Sequence, residues 1–268
     1  VPSLRRPDTS IAYQVTGSGP PVLMLQGVGA RGMVWAPQVE RLRERYSCIT
    51  VDNRGVGDSG EAPGTLVFGQ MVDDAIALLD HLQIDRAHVI GHSMGGILAH
   101  QLALDHPDRA ASLGLLCTFT NGSEAARLSP RGFWLGTRTV LGTPRMRRSA
   151  YLRLIAPASE LRGDLDAVVE RYTQIFGHDL AQRRRIVVRQ IRAMDRHDQR
   201  ARLPELRSIP SIVLAGAEDL IAEPRYNQAL AQAIGARHYH CFEDAAHTLP
   251  ITHADAVSDR LAQHWAAP

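Results

Sequence analysis

An apolar run, Ala87-His88-Val89-Ile90, passes directly into Gly91-His92-Ser93-Met94-Gly95-Gly96. The run reads as a strand, and the residues after it read as a sharp turn into a helix with Ser93 at the apex. Gly91 and Gly95 let the backbone bend without Cβ clashes, and the bend lifts the serine hydroxyl out of the sheet to where a base can reach it. A G-x-S-x-G match is weak alone; the strand before it and the helix after it give it weight. Met94 to His106 places Ile97, Leu98, Leu102 and Ala103 on one apolar face. Gly96 leaves room for that helix to lie close on the sheet, and Pro107 stops it. Ser93 stands at the positive end of the helix dipole, where negative charge is stabilised.

Further strands are predicted at Ile11–Val15, Pro21–Gln26, Tyr46–Val51, Leu113–Cys117, Ile212–Leu214 and His238–Phe242. Val22-Leu23-Met24-Leu25 is apolar on both faces, as in a parallel sheet covered by helices. Helices are predicted between them at Val34–Arg45, Val67–Gln83, Asn227–Ile234 and Ala254–Trp265. Strand and helix alternate, which argues an open α/β sheet.

One connection is too long for a simple crossover. About 94 residues separate Cys117 from Ile212, where a few dozen would do. Leu165, Val168, Val169, Tyr172 and Ile175 fall on one helical face, as do Ile186, Val187, Ile191 and Met194. Pro130, Pro144, Pro157 and Pro204 punctuate the segment. Residues 121–206 are therefore expected to form a helical insertion, and 1–120 with 207–268 the core. The insertion leaves the carboxyl edge of the sheet, where α/β sheets bind ligands, so a lid over Ser93 is its natural role.

The chain has 268 residues, 44% hydrophobic and 22% charged, and a net charge of +2. No apolar run approaches the roughly 20 residues that span a bilayer, and Arg5-Arg6-Pro7-Asp8 breaks any signal-peptide pattern. A cytoplasmic location with no membrane partner is expected. Cys48, Cys117 and Cys241 each fall in a predicted strand and read as small buried hydrophobes; no Cys/His spacing suggests a metal. There is no lysine. Residues 121–207 hold 18 arginines against 9 acidic residues, a local charge of +9, and the remainder is −7. The simpler reading is a basic segment that docks on an acidic body through ion pairs; the sharper one is a field that draws anionic substrates. Nucleic acid is disfavoured because no aromatic residues interleave the arginines.

A serine nucleophile needs a base, and the base needs an orienting acid. Ile212-Val213-Leu214 is followed by Ala215-Gly216-Ala217-Glu218-Asp219, and the last strand by Asp244-Ala245-Ala246-His247. Both stand at strand carboxyl ends, on the edge that holds Ser93. Glu218 and Asp219 are rival acids at this point. His92 fits better as packing beneath the turn than as the base, and His238, His240 and His253 lack the strand-end context.

With the serine turn, Asp52-Asn53-Arg54-Gly55-Val56-Gly57-Asp58-Ser59, Gly216-Ala217-Glu218-Asp219 and Ala246-His247 together, the chain resembles the α/β-hydrolase superfamily over almost its whole length. The resemblance implies a mostly parallel eight-stranded sheet flanked by helices, with Val1–Leu4 supplying the first strand and a helical lid inserted after the sixth. It implies nucleophile Ser93, acid Asp219 (three residues after the glycine), base His247, and an oxyanion hole from the backbone N–H groups of Val28 and Met94. Members commonly carry His-Gly where this chain has Gln26-Gly27, a departure that points to a different brace for that loop. The Asp52–Ser59 turn is expected to brace the loop beside the site. The implied activity is cleavage of a small-molecule carboxylic ester, lactone or thioester through an acyl-enzyme, without metal or organic cofactor. C–C bond hydrolysis, cofactor-free perhydrolysis, acyl transfer and ligand reception by a non-enzyme are the alternatives carried by the same residues.

Overall fold

A computed structural model describes residues 1–61, 63–182 and 184–266. The strand before the serine is β5 (Ala87–His92), and the helix after it is α3 (Met94–Asp105). Around them stand β1 (Ser3–Arg5), β2 (Ser10–Thr16), β3 (Pro21–Leu25), β4 (Ser47–Val51), β6 (Ala110–Leu116), β7 (Ser211–Gly216) and β8 (His238–Phe242). They form one eight-stranded sheet in the order β1-β2-β4-β3-β5-β6-β7-β8. The two pairs made by β2 are antiparallel and the other five are parallel. The central strands are buried on both faces, as their unbroken apolar runs require: Val22, Leu23, Met24 and Val89 are all inaccessible to solvent.

Helices flank the sheet. α1 (Ala36–Leu42) packs on α10 (Ala254–Ala266), and α2 (Phe68–His81) packs on α3. The amino end of the first predicted helix is a 3₁₀ turn, Gly32–Trp35, and α1 proper begins at Ala36, beside Pro37. The amphipathic reading of α3 is too narrow: every residue from Met94 to Leu104 is buried, His100 and Gln101 included. The connection between β6 and β7 also packs on α3, through a 3₁₀ segment at Arg200–Ser208.

That connection holds α4 (Pro130–Val140), α5 (Pro144–Ile155), α6 (Leu165–Phe176) and α7 (Arg185–Asp195). The two periodic stretches noted above are α6 and α7. The same prolines that looked like punctuation start α4 and α5. Ser129 accepts from Gly132 N–H and Thr143 from Met146 N–H, with Pro130 and Pro144 in the first turn. Small clusters of their own, such as Leu152, Ala156, Tyr172 and Leu180, hold these helices together.

Two expectations need correcting. Cys117 lies just past β6, with φ +45°, and Cys241 is only half-buried. The basic segment does not dock on the body through ion pairs. Arg145–Asp166, Arg148–Asp179, Arg171–Glu160, Arg200–Asp198 and Arg202–Glu205 are pairs within the segment, and Arg202–Asp105 alone crosses to the body among the described residues. The acids of the body are instead satisfied by its own arginines. Arg54, 3% exposed, binds Asp74 through Nε (2.7 Å) and Nη2 (2.8 Å) and reaches Asp8. Arg183, one of the arginines counted above, lies outside the described residues. Among those residues no helix is long and apolar enough to cross a membrane.

Candidate active site

Ser93 occupies the turn between β5 and α3 with φ +55° and ψ −121°, a region that non-glycine residues enter only when their surroundings force it. The forcing groups are visible. Ser93 N–H donates to Leu116 O (3.0 Å), and its carbonyl accepts from Thr118 Oγ1 (2.6 Å). A Cβ on Gly91 would lie 2.1 Å from Gly95 O, and one on Gly95 2.0 Å from Leu25 O, so the turn closes only with glycine at both places. The serine hydroxyl borders a cavity of about 890 Å³.

His247 borders the same cavity, on the loop after β8. Its Nδ1–H donates to Asp219 Oδ2 at 2.8 Å, which leaves Nε2 with a free lone pair. Asp219 follows β7, is 2% exposed, and its Oδ1 accepts from Ile221 N–H (2.8 Å) and Ala222 N–H (2.9 Å). Burial alone would raise its pKa. The imidazole and the two backbone donors outweigh burial and hold the carboxyl below its ordinary value. Ser93 Oγ and His247 Nε2 make no hydrogen bond to any described residue.

Glu218, the rival acid, stands apart: it is exposed, and its Oε2 accepts from Ala158 N–H at 2.7 Å. His92 lies beneath the turn, its ring centroid 4.8 Å from that of His247 and its Nε2–H donating to His247 O at 2.8 Å. Burial drives its pKa down to about 3, so it stays neutral and holds the His247 backbone in place.

The loop after β3 faces Ser93: a Cβ on Gly27 would lie 3.1 Å from Ser93 Cβ. The N–H groups of Val28 and Met94 have no hydrogen-bond partner among the described residues. Buried Gln26 braces this loop by donating from Nε2 to Val51 O. The other brace comes from α7 and the residue that caps it, and no sequence pattern pointed to it. Gly29, at φ +67°, donates its N–H to Gln190 Oε1 (2.7 Å) and accepts from Arg184 Nη2 at its carbonyl (2.6 Å). A Cβ on Gly29 would meet Val187 at 2.6 Å. The Asp52–Ser59 turn supports the next stretch of the loop, since Asp52 Oδ1 accepts from Gly32 N–H (2.6 Å) and Oδ2 from Asp58 N–H (2.9 Å).

The family profile described as alpha/beta hydrolase fold matches residues 20–254. The chain belongs to this family. It is 27% identical over 259 residues to "Putative carbamate hydrolase RutD" of Azorhizobium caulinodans, covering 95% of this chain and 94% of the relative. It is 30% identical over 271 residues to "Putative non-heme bromoperoxidase BpoC" of Mycobacterium tuberculosis, covering 96% and 98%. The crystal structure of the enol-lactonase from Burkholderia xenovorans superposes with a TM-score of 0.81 at 26% identity, covering 99% of this chain and all of that one. Family and relatives support hydrolase activity.

Proposed function

We propose that this α/β hydrolase is a serine hydrolase that cleaves a carboxylic ester, lactone or thioester through an acyl-enzyme. The observation that carries this reading is the His247–Asp219 pair, bonded at 2.8 Å on the wall of the cavity that Ser93 borders. In the proposed mechanism, His247 Nε2 takes the Ser93 Oγ proton as the oxygen attacks the carbonyl carbon. Val28 and Met94 N–H groups stabilise the oxyanion, each worth about 3 kcal/mol in the transition state. The tetrahedral intermediate collapses, the imidazolium protonates the departing alcohol, thiol or ring oxygen, and the acyl group stays on Ser93. Water then gives its proton to His247, attacks the acyl carbon, and releases the acid while Ser93 regains its proton. Residues 121–206 act as a lid: Tyr151, Leu154, Phe176 and Ile191 from this segment line the cavity and would exclude water around an apolar substrate.

A fluorophosphonate should label the wild type at Ser93 and leave Ser93→Ala unlabelled. 4-Nitrophenyl acetate should show a burst in the wild type alone. Wild-type turnover by Ser93→Ala, with the fold intact, would remove the serine from the mechanism. A chelator should leave the rate unchanged.

A further inference from the structure

Arg184 begins α7 and lies on the cavity wall, half-buried. Among the described residues it makes one hydrogen bond, from Nη2 to Gly29 O, which leaves most of its five N–H donors unused there. It forms no ion pair with any described carboxylate, although five other arginines of the 121–206 segment do. Burial and the nearby Arg31 make its charge costly, and they lower its pKa; Tyr151 and Asp52 oppose this. Helix stability does not explain the residue either, because a cation at the amino end opposes the helix dipole. Tyr151 lines the same cavity, and its hydroxyl makes no hydrogen bond among the described residues. Among the described residues the one carboxylate that lines the cavity, Asp195, sits at the far end of α7, about 15 Å along the helix from Arg185 at 1.5 Å per residue.

A half-buried guanidinium without a carboxylate partner and a phenol without a hydrogen bond, both lining one mostly apolar cavity, leave a gap that an anionic oxygen fills. Resting on the serine-hydrolase reading, we propose that Arg184 and the Tyr151 hydroxyl bind a carboxylate carried by the substrate. Arg184 already touches Gly29, the neighbour of Val28, so this carboxylate lies a short way from the scissile carbonyl. The substrate class is then half-esters of short dicarboxylic acids, or lactones of short hydroxy-dicarboxylic acids that keep one free carboxylate. Arg185 and Arg192, exposed at the cavity rim, add a field that favours the same anions.

The test compares mono-4-nitrophenyl glutarate with its uncharged terminal-amide isostere. Wild type should prefer the anion in kcat/KM. Arg184→Met should reduce the anion-to-neutral ratio by about 30- to 100-fold, Arg184→Lys should keep part of it, and Tyr151→Phe should reduce it by about 3- to 10-fold. Arg145→Met, which removes an exposed arginine paired with Asp166, should leave the ratio unchanged. Most of the preference should survive about 0.5 M salt, because a partly buried pair is screened little. An equal loss on both esters in Arg184→Met would reduce the residue to a brace for Gly29 and overturn the proposal. So would a preference abolished by salt, since rim arginines would then be acting by steering alone. Turnover of the neutral isostere, lost in Ser93→Ala, reports on the serine mechanism separately: if neither ester is cleaved, that broader reading fails first.

Discussion

Every donor around Asp219 favours its charged form, and the proposed mechanism gives it, rather than Glu218, the orienting role. Asp219→Asn should lower kcat by on the order of 10⁴-fold, because an amide facing Nδ1 favours the wrong imidazole tautomer. Glu218→Gln keeps an oxygen for Ala158 N–H and should change kcat less than about twofold. Steady-state rates for both variants decide the assignment, and reversed sensitivities would transfer the role. Asp219, held ionised below its ordinary value, and His92, neutral with its pKa near 3, should add no step to the rate between pH 5 and 9. A kcat/KM profile over that range with more than one ionisation would contradict these two assignments. Ser93, His247 and the Glu218-Asp219 pair could be picked out as candidates in the sequence because each follows a strand at the same sheet edge; the choice between the two acids came only with the family resemblance. Gln190 and Arg184 could not be picked out. Each sits inside a helix pattern or at its start, and only the fold reveals that they reach a loop some 155 residues away.

At the scale of the element, α3 and the α4–α5 pair show two ways that local pattern misleads. Period 3.6 marks a boundary between core and solvent, and α3 has no solvent side, so its pattern showed only which residues meet the sheet. His100 and Gln101 are not among the residues of that apolar face, yet both are buried: His100 Nε2–H donates to Phe119 O (3.2 Å) and its Nδ1 accepts from Gln199 Nε2 (2.6 Å). α4 and α5 carry few apolar residues in register, and Phe133 and Trp134 are more than half exposed, so periodicity was weak there. The readable signal was chemical: Ser129-Pro130 and Thr143-Pro144 are a capping hydroxyl followed by a proline at the first helical position. Thr143→Ala should cost α5 about 1 kcal/mol, seen as faster amide exchange in that helix with the sheet amides unaffected. Unchanged α5 exchange would mean that packing on α4, not the cap, holds its first turn.

Stability of the whole molecule should follow its buried histidines. Burial lowers the pKa of His88 to about 4, and of His92 and His100 to about 3, against 6.5 for the free side chain. Below pH 6.5 the unfolded chain therefore binds protons that the folded chain refuses, and stability falls as pH falls. Each such histidine adds a slope of about 1.4 kcal/mol per pH unit between 6.5 and its folded value. Urea unfolding at pH 7.5, 6.0 and 5.0 should show a declining midpoint, less steep in His100→Gln. A flat midpoint across that range would contradict the buried, neutral state of these rings.

The double grip of α7 on Gly29 bears on how enzymes of this architecture can be altered. A designer who wants a new specificity would exchange the segment between β6 and β7 for one from a relative and keep the core. Here that exchange would remove Gln190 and Arg184, and with them the two hydrogen bonds that aim the loop carrying Val28. A chimera would then inherit a new binding wall and lose turnover on neutral substrates as well as anionic ones. Grafts that keep positions 184 and 190 while replacing α4, α5 and α6 leave the loop anchored, and they are the recombinants in which selectivity can change independently of rate.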